Sequence, residues 1–280
     1  MNRLFKLISS ILFLTFPVFY MTVSHASDDF RKRAPQVEET FTEDDDIRAE
    51  IVFGRELAAR IIGKYGIYKN NDITQYVNML GKGLSQYTNR PELEFRFAVL
   101  DTDSINAFAA PGGYIFITKG ALKAIEDEAE LAGVLAHEIA HVSERHIVKE
   151  LDIKGKDEST VANIGRIIGG NTEFLRGVFT QMVDEAADIL FEKGFKKQDE
   201  IDADRIATLI ITTAGYDPSA LSRYLKKISS DEKEGKTIGS THPLFSERIE
   251  KIDTLLVDNN LAGKKYEIVK ERFHENVRLR

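Results

Sequence analysis

Apolar residues recur every three to four positions over most of the chain. They do so after an acidic stretch that ends at Asp46, and again after Asp72. This period predicts helices that bury one face, and acidic residues at a helix start suit the positive end of the helix dipole. The same pattern predicts further helices at residues 172–193, 197–214, 218–228 and 243–257. The chain should therefore be mainly helical.

Residues 94–118 have a different pattern, which favours strands. Residues 94–100 alternate between polar and apolar, and residues 114–118 are all β-branched or aromatic. The sequence Pro111-Gly112-Gly113, which is typical of a turn, lies between them. A small antiparallel sheet is predicted here, so the fold class is α+β and mainly helical.

A capping-box pattern marks the start of a long helix. Asp127 is followed three residues later by Glu130 and then by a largely apolar stretch. Such a pair can satisfy backbone N–H groups that have no partner in a first helical turn. We expect this helix to run from there to about Lys149.

The N-terminus has the features of a secretory signal peptide. Arg3 and Lys6 precede a mainly apolar stretch at residues 7–23, and Ser24-His25-Ala26 supplies the small residues of a cleavage site. Cleavage after Ala26 would remove residues 1–26 as the signal peptide. The pattern therefore predicts a periplasmic or otherwise exported protein. The apolar stretch is also long enough for the alternative, an uncleaved N-terminal membrane anchor.

The remaining residues divide into three parts. Residues 27–46 are polar and acidic and are expected to form a flexible linker, whereas residues 47–257 should form a single domain. Residues 258–280 are expected to be a short C-terminal tail. No later apolar run approaches membrane-spanning length and no internal repeat is found. The mature chain is therefore expected not to span a membrane and to lack a repeat domain for partner docking.

Composition and charge exclude some partners. The chain contains no Cys, so an exported form would have neither disulfides nor thiolate metal ligands, and no Cys could carry a lipid anchor. The formal net charge is −7, and loss of Arg3 and Lys6 with the signal peptide would make it more negative. This balance disfavours nucleic acid and anionic lipid surfaces as partners.

The sequence His137-Glu138-Ile139-Ala140-His141 lies within the helix predicted to start near Asp127. Side chains four residues apart on a helix differ by about 40° around its axis, so the two imidazoles can bind one cation. Glu138 is rotated by about 100° from His137, where it can reach a metal-bound water without becoming a ligand. The pattern is typical of zinc hydrolases. A chance match on a surface helix is the alternative, which the apolar face of this helix disfavours.

A hydrolytic zinc site generally has three protein ligands and one position open to water. The metzincin pattern is excluded, because Ile147 and Glu144 occupy the positions of its third His and its Gly. His146 lies about 180° around the helix from His137, so a structural role is favoured over metal binding.

The best candidate for the third ligand lies in a later acidic segment. Glu200 and Asp204 are four residues apart and share a face of the helix predicted at 197–214. Glu200 would complete the ligand set, and Asp204 could accept a hydrogen bond from the second nitrogen of a metal-bound His. The alternative is an acidic helix face that is simply solvated.

Four blocks of sequence, in this order, resemble the gluzincin metallopeptidase family that contains the type I CAAX prenyl proteases, HtpX and the periplasmic BepA-like proteases. The blocks are residues 106–118, 137–146, 200–204 and 242–248. The resemblance extends over roughly residues 47–257 and implies a single zincin-like domain with an active-site helix.

The resemblance also implies roles for particular residues. One zinc ion per chain would be held by His137, His141 and Glu200, with Glu138 as the catalytic residue. A strand close to the bound substrate would contain Tyr114, Ile115 and Phe116.

Two residues of the last block have open roles. His242 or Arg248 could donate hydrogen bonds to the oxyanion that develops during catalysis. Arg248 could instead pair with a carboxylate. His242 could instead occupy the fourth position on zinc and keep the enzyme latent until its loop moves.

The sequence thus predicts a zinc-dependent endopeptidase of the cell envelope, in which zinc and Glu138 activate water for peptide hydrolysis. Its resemblance to the soluble periplasmic branch implies unfolded, misfolded or misassembled envelope proteins as substrates, that is, protein quality control. The alternative is a catalytically idle or chaperone-like binding protein that keeps zinc only for its fold. A metal-buffering protein is less consistent with the sequence, because there is one site and no His-rich tract.

Overall fold

The computed structural model describes residues 43–151, 173–233, 245–264 and 266–279, and it confirms a mainly helical α+β fold. The predicted signal peptide, most of the predicted linker and His242 lie outside the described residues. Within these ranges no helix combines the length and the apolar character needed to cross a membrane. The elements are α1 (Glu43–Tyr65), α2 (Asn71–Ser85), β1 (Arg96–Leu100), β2 (Ala107–Ala110), β3 (Tyr114–Thr118), α3 (Lys119–Ala124), α4 (Glu128–Ser143), α5 (His146–Glu150), α6 (Glu173–Asp188), α7 (Lys197–Thr213), α8 (Ala220–Lys233), α9 (Phe245–Asp258) and α10 (Lys270–Asn276).

Two helices start at other positions than predicted. Helix α1 begins at Glu43, inside the range 27–46 that was expected to be linker, because an acidic run is compatible with a first helical turn. Helix α2 is capped by Asn70, whose side chain accepts a hydrogen bond from the backbone N–H of Ile73. Asp72 therefore lies in the first helical turn.

The sheet has three strands in the order β1-β3-β2 and is mixed, so the prediction of an antiparallel sheet is only half right. Strand β2 pairs with β3 in antiparallel register through the predicted turn, whereas β1 runs parallel to β3. The difference arises from β2, which was not predicted as a strand. All four of its residues are buried, so its sequence shows no alternation between polar and apolar residues. The turn joins β2 to β3, and β3 then lies in the centre of the sheet.

Helix α4 lies in the centre of the domain, and all of its residues are buried. It contacts α2, α7 and α8 as well as strands β2 and β3. Its start is as predicted, because the Asp127 side chain accepts a hydrogen bond from the backbone N–H of Glu130. Polar side chains on a helix that is buried all round must be paired or serve a function.

Helix α4 ends at Ser143 and does not continue to Lys149 as predicted. Arg145 adopts the left-handed conformation with φ of 55°, and a short second helix, α5, begins at His146. A residue of helix α1 stabilises this break. The buried Glu50 carboxylate forms ion pairs with Arg145 Nε at 3.2 Å and with Arg90 Nη2 at 2.9 Å. This tertiary contact could not be seen in the local sequence pattern.

The C-terminal residues, predicted to be a short tail, pack on the domain. Phe273 of α10 is buried in the main core, and Tyr216 pairs with Glu267 in an isolated β-bridge. Arg272 Nε lies 2.6 Å from a carboxylate oxygen of Glu128 at the start of α4. The domain therefore includes residues 266–279.

Gly54 of helix α1 makes a backbone contact that only glycine allows. A Cβ added at Gly54 would lie 1.7 Å from the carbonyl oxygen of Pro111 in the β2–β3 turn. We expect Gly54→Ala to lower the free energy of unfolding by at least the roughly 1–3 kcal/mol that is typical of overpacked sites. Gly63→Ala on the same helix is the matched control, because a Cβ added there would meet nothing within 4 Å among the described residues that pack around α1. Urea unfolding of both variants measures the difference, and equal stability would refute the proposed close approach.

Candidate metal centre

Helices α4 and α7 bring together the three residues predicted to bind a metal ion. His137 and His141 project from α4 and Glu200 projects from α7, and their candidate ligand atoms all lie within 4.8 Å of one another. The two Nε2 atoms are 3.0 Å apart, and the Glu200 oxygens lie 3.6 Å and 3.5 Å from them. All three side chains are buried. Two imidazoles and a carboxylate at these distances form a donor set that suits zinc.

Asp204 occupies the position predicted for it. Its Oδ1 lies 2.9 Å from Nδ1 of His137, one helical turn beyond Glu200. With Nδ1 hydrogen-bonded to the carboxylate, Nε2 of His137 is directed toward His141 and Glu200. This arrangement fixes the ring orientation that a metal ligand requires.

The electrostatics around His137 favour a positive charge. Burial lowers the pKa of His137, as does the charge of Arg248, but hydrogen bonds to Asp204 and Glu200 together with the Asp204 charge outweigh them and raise its pKa to about 9. Burial alone would raise the pKa of Asp204, yet the charge and hydrogen bonds of Arg248 lower it. The buried Asp204 carboxylate therefore stays ionised beside the ligands, which is the environment that a divalent cation needs.

Arg248 of α9 is buried beneath the Asp204 and Glu200 carboxylates. Its Nε and Nη2 atoms each lie 2.7 Å from an oxygen of Asp204, and Nη1 lies 2.9 Å from Glu200 Oε2. Two roles were predicted for Arg248, and the structure contains the contacts of one of them, pairing with carboxylates. A guanidinium with two parallel bonds to one carboxylate holds that group in a fixed orientation.

Glu138 is buried beside the metal ligands and faces a cavity. It lines this small cavity, of about 50 Å³, together with His137 and Arg248. A carboxylate next to both the metal ligands and an open space can exchange protons with a water molecule or peptide there. This is the position that the motif predicted for a general base.

The strand predicted to lie near the substrate is not at an edge. Strand β3, with Tyr114, Ile115 and Phe116, is paired on both sides by β1 and β2. An extended peptide therefore cannot add to β3. Strand β2 is an edge strand among the described residues, and Ala107 at its start lines the cavity beside Glu138. Which strand lies beside a bound substrate stays a prediction.

His146 contacts the site in a way that the sequence did not predict. Because α4 breaks at Arg145, the His146 ring returns toward the centre, and its Nδ1 lies 2.8 Å from Nδ1 of His141. Burial lowers the pKa of His146 to about 4, with a further contribution from the charge of Lys149, so the ring is neutral at neutral pH. His242 lies outside the described residues, and its two possible roles stay predictions.

Comparison with known proteins agrees with this geometry. The family model for peptidase family M48 matches residues 71–256. The β-barrel assembly-enhancing protease of Escherichia coli (strain K12) is 28% identical over 208 residues, which cover 72% of this chain and 43% of that protein. The mitochondrial metalloendopeptidase OMA1 of Schizosaccharomyces pombe is 28% identical over 190 residues, covering 65% of this chain and 53% of that protein. The corresponding OMA1 metalloendopeptidase of Bos taurus is 29% identical over 177 residues, covering 59% of this chain and 33% of that protein.

The chain spans about half of the length of these relatives, or less. The match nevertheless covers both segments of the candidate metal site, with His137 and His141 on α4 and Glu200 on α7. A family model that covers most of the domain, together with a converging metal-ligand set, shows that this chain belongs to peptidase family M48.

Proposed function

We propose that the chain is a zinc-dependent metalloendopeptidase of the cell envelope. The observation that carries the proposal is the convergence of His137, His141 and Glu200 with Glu138 beside a cavity. A binding protein that needed zinc only for its fold would not require a carboxylate placed next to the ligands and facing open space. The geometry therefore favours an enzyme over the idle or chaperone-like alternative.

The residues fit zinc in number, type and surroundings. His137, His141 and Glu200 would hold the ion, and Asp204 would keep the His137 ring in place through Nδ1. When bound, zinc supplies a Lewis acid that polarises a carbonyl group and makes water more acidic. A bound cation would also offset the buried negative charge of Glu200 and Asp204, together with Arg248.

The remaining steps rest on the side chains of this chain. Glu138 would accept a proton from the attacking water and return it to the amine that leaves when the peptide bond breaks. Arg248 would keep the Asp204 and Glu200 carboxylates oriented through its three short contacts. Because Arg248 is held in this way, we assign it a positioning role and leave Glu138 as the catalytic residue.

Unfolded or misassembled envelope proteins are the proposed substrates. Support comes from the relatives named as β-barrel assembly-enhancing proteases and from the signal-peptide pattern of residues 1–26, which favours the periplasm. The acidic net charge of the chain disfavours nucleic acid as a partner.

Zinc content and inhibition by chelators test the proposal. We expect about one zinc ion per purified chain, and cleavage of unfolded casein that stops on treatment with a chelator and returns on addition of zinc. The physical reason is that only one converging ligand set of this kind occurs in the described part of the chain. One zinc ion per chain without any cleavage, in the unmodified chain and in a His242→Ala variant alike, would favour the idle-protein alternative. Several ions per chain would favour metal buffering.

A further inference from the structure

The two candidate ligand histidines have different partners at their second ring nitrogen. Nδ1 of His137 lies 2.9 Å from Oδ1 of Asp204, whereas Nδ1 of His141 lies 2.8 Å from Nδ1 of His146. All four side chains are buried. A metal-bound imidazole almost always donates its other N–H to a partner of this kind, which fixes the tautomer and the orientation of the ring. A carboxylate can only accept, but an imidazole nitrogen can donate or accept, so the role of His146 depends on where the protons lie.

The direction of the hydrogen bond between His141 and His146 follows from the metal site. Nε2 of His141 lies 3.0 Å from Nε2 of His137 and 3.5 Å from an oxygen of Glu200, so Nε2 is the atom that would bind a cation. A nitrogen that binds a metal carries no proton, so the ring proton of His141 lies on Nδ1. Nδ1 of His141 then donates, and Nδ1 of His146 accepts. The proton of His146 therefore lies on its Nε2, which faces Asp199 Oδ1 at 3.7 Å.

The backbone and the core hold His146 in this place. Helix α4 ends at Ser143, Arg145 adopts the left-handed conformation, and α5 begins at His146 itself. The next two residues, Ile147 and Val148, are buried in a hydrophobic cluster that also contains residues of α1 and α6. Packing of α5 against this cluster keeps the His146 ring against His141.

Phe195 covers one face of the His141 ring. The two rings stack with a centroid distance of 4.2 Å and an angle of 18°. Phe195 follows a single π-helical turn, Ile189–Lys193, and Gly194 with φ of 74°; such turns are frequent at functional sites. Stacking restrains the tilt of the His141 ring, but a phenyl ring cannot select a tautomer. The contact at Nδ1 is the one that selects it.

We infer that His146 is a positioning residue that holds His141 with Nε2 directed at the metal site, as Asp204 does for His137. This inference rests on the proposed function, because it assigns a role at the same zinc site. His146 is not a ligand in this geometry, since its Nδ1 faces the outer nitrogen of His141. In the described part of the chain, the converging ligand atoms belong to His137, His141 and Glu200.

Variants of His146 separate the roles of its two ring nitrogens. We expect His146→Ala to weaken zinc affinity by about 10- to 100-fold, the usual effect of losing such a partner. His146→Asn should lose much less, because Oδ1 of Asn takes the place of Nδ1 and can accept the proton of His141. His146→Gln should bind zinc as weakly as His146→Ala, because its amide group takes the place of Nε2 and faces Asp199 instead.

Competition with a chromophoric zinc chelator measures the affinity, and urea unfolding of the metal-free forms measures stability separately. Val148→Ala is the matched control, since Val148 lies on the same short helix and is equally buried. This variant should unfold at a lower urea concentration and still bind zinc with the affinity of the unmodified protein. An equal loss of zinc affinity in Val148→Ala and His146→Ala would overturn the inference, because loosening of α5 would then explain both.

The tautomer can be read directly by heteronuclear NMR of the zinc-loaded protein with nitrogen-labelled histidines. We expect His141 to be protonated on Nδ1 and His146 on Nε2. A proton on Nδ1 of His146 would contradict the inferred direction of the hydrogen bond and overturn the inference.

The pattern across the three His146 variants decides the outcome. Weaker zinc affinity in His146→Ala and His146→Gln that His146→Asn restores would support positioning, because a purely structural His would change stability without this pattern. Unchanged affinity in folded His146→Ala, equal losses in the Ala and Asn variants, or restoration by Gln in place of Asn would overturn it and leave the zinc site standing. Failure of the unmodified protein to bind zinc would overturn the proposed metal centre as well.

Discussion

Replacing Arg248 with Ala is expected to destabilise the metal-free protein by about 3–5 kcal/mol, which is the usual effect of removing one partner from a buried ion pair. Arg248 is only 2% exposed, and it makes three contacts of 2.7–2.9 Å with Asp204 and Glu200. Its removal leaves two buried carboxylates close to each other without their guanidinium partner. Zinc should restore part of the stability, because the ion would pair with Glu200.

The control for Arg248 lies on the helix that carries these carboxylates. Arg205 is half-exposed and lies 4.0 Å from Asp202, so Arg205→Ala should change the free energy of unfolding by no more than about 0.5 kcal/mol. Urea unfolding in the presence of a chelator measures both variants. If Arg248→Ala were as stable as Arg205→Ala, the buried charge network around Arg248 would be wrong.

Replacing Glu200 with Ala is expected to have the largest effect on zinc binding. Changing residues that only support a ligand weakens metal affinity by about 10- to 100-fold, so removal of a direct ligand should exceed 100-fold and abolish cleavage at ordinary zinc concentrations. Asp202→Ala, two residues away on the same helix and only partly buried, should bind zinc normally. Equilibrium dialysis of the two variants checks this. Full zinc binding by Glu200→Ala would exclude Glu200 as the third ligand.

The candidate metal ligands could be predicted from the sequence because their geometry is local. His137 and His141 meet at one point on any regular helix, and Glu200 and Asp204 share a face in the same way. The fold needed only to bring α4 and α7 together, and these two helices are in contact. Local spacing therefore carried most of the information about the site.

The features that the sequence did not reveal depend on tertiary contacts. A continuous helix would place His146 on its far side, but the left-handed Arg145, held by the distant Glu50, turns it back onto His141. The parallel pairing of β1 with β3 likewise depends on β2, whose buried residues show no alternation. Phe273 looks like part of a polar tail in the sequence because its partners are distant along the chain. In each case the deciding contact joins residues that no local pattern connects.

The most direct test of the peptidase mechanism compares casein digestion by residues 27–280 with that by the Glu138→Gln variant, after both have been shown to bind zinc equally. We predict chelator-sensitive cleavage by the unmodified chain and a rate about 10²- to 10⁴-fold lower in the variant, which is the usual contribution of a general base. Gln has nearly the same shape as Glu but cannot accept the proton, so zinc binding and stability should remain. Cleavage by the variant at the unmodified rate would contradict the role of Glu138. Absence of cleavage both by the zinc-loaded unmodified chain and by its His242→Ala variant, which would release a latch, would contradict the proposed peptidase function.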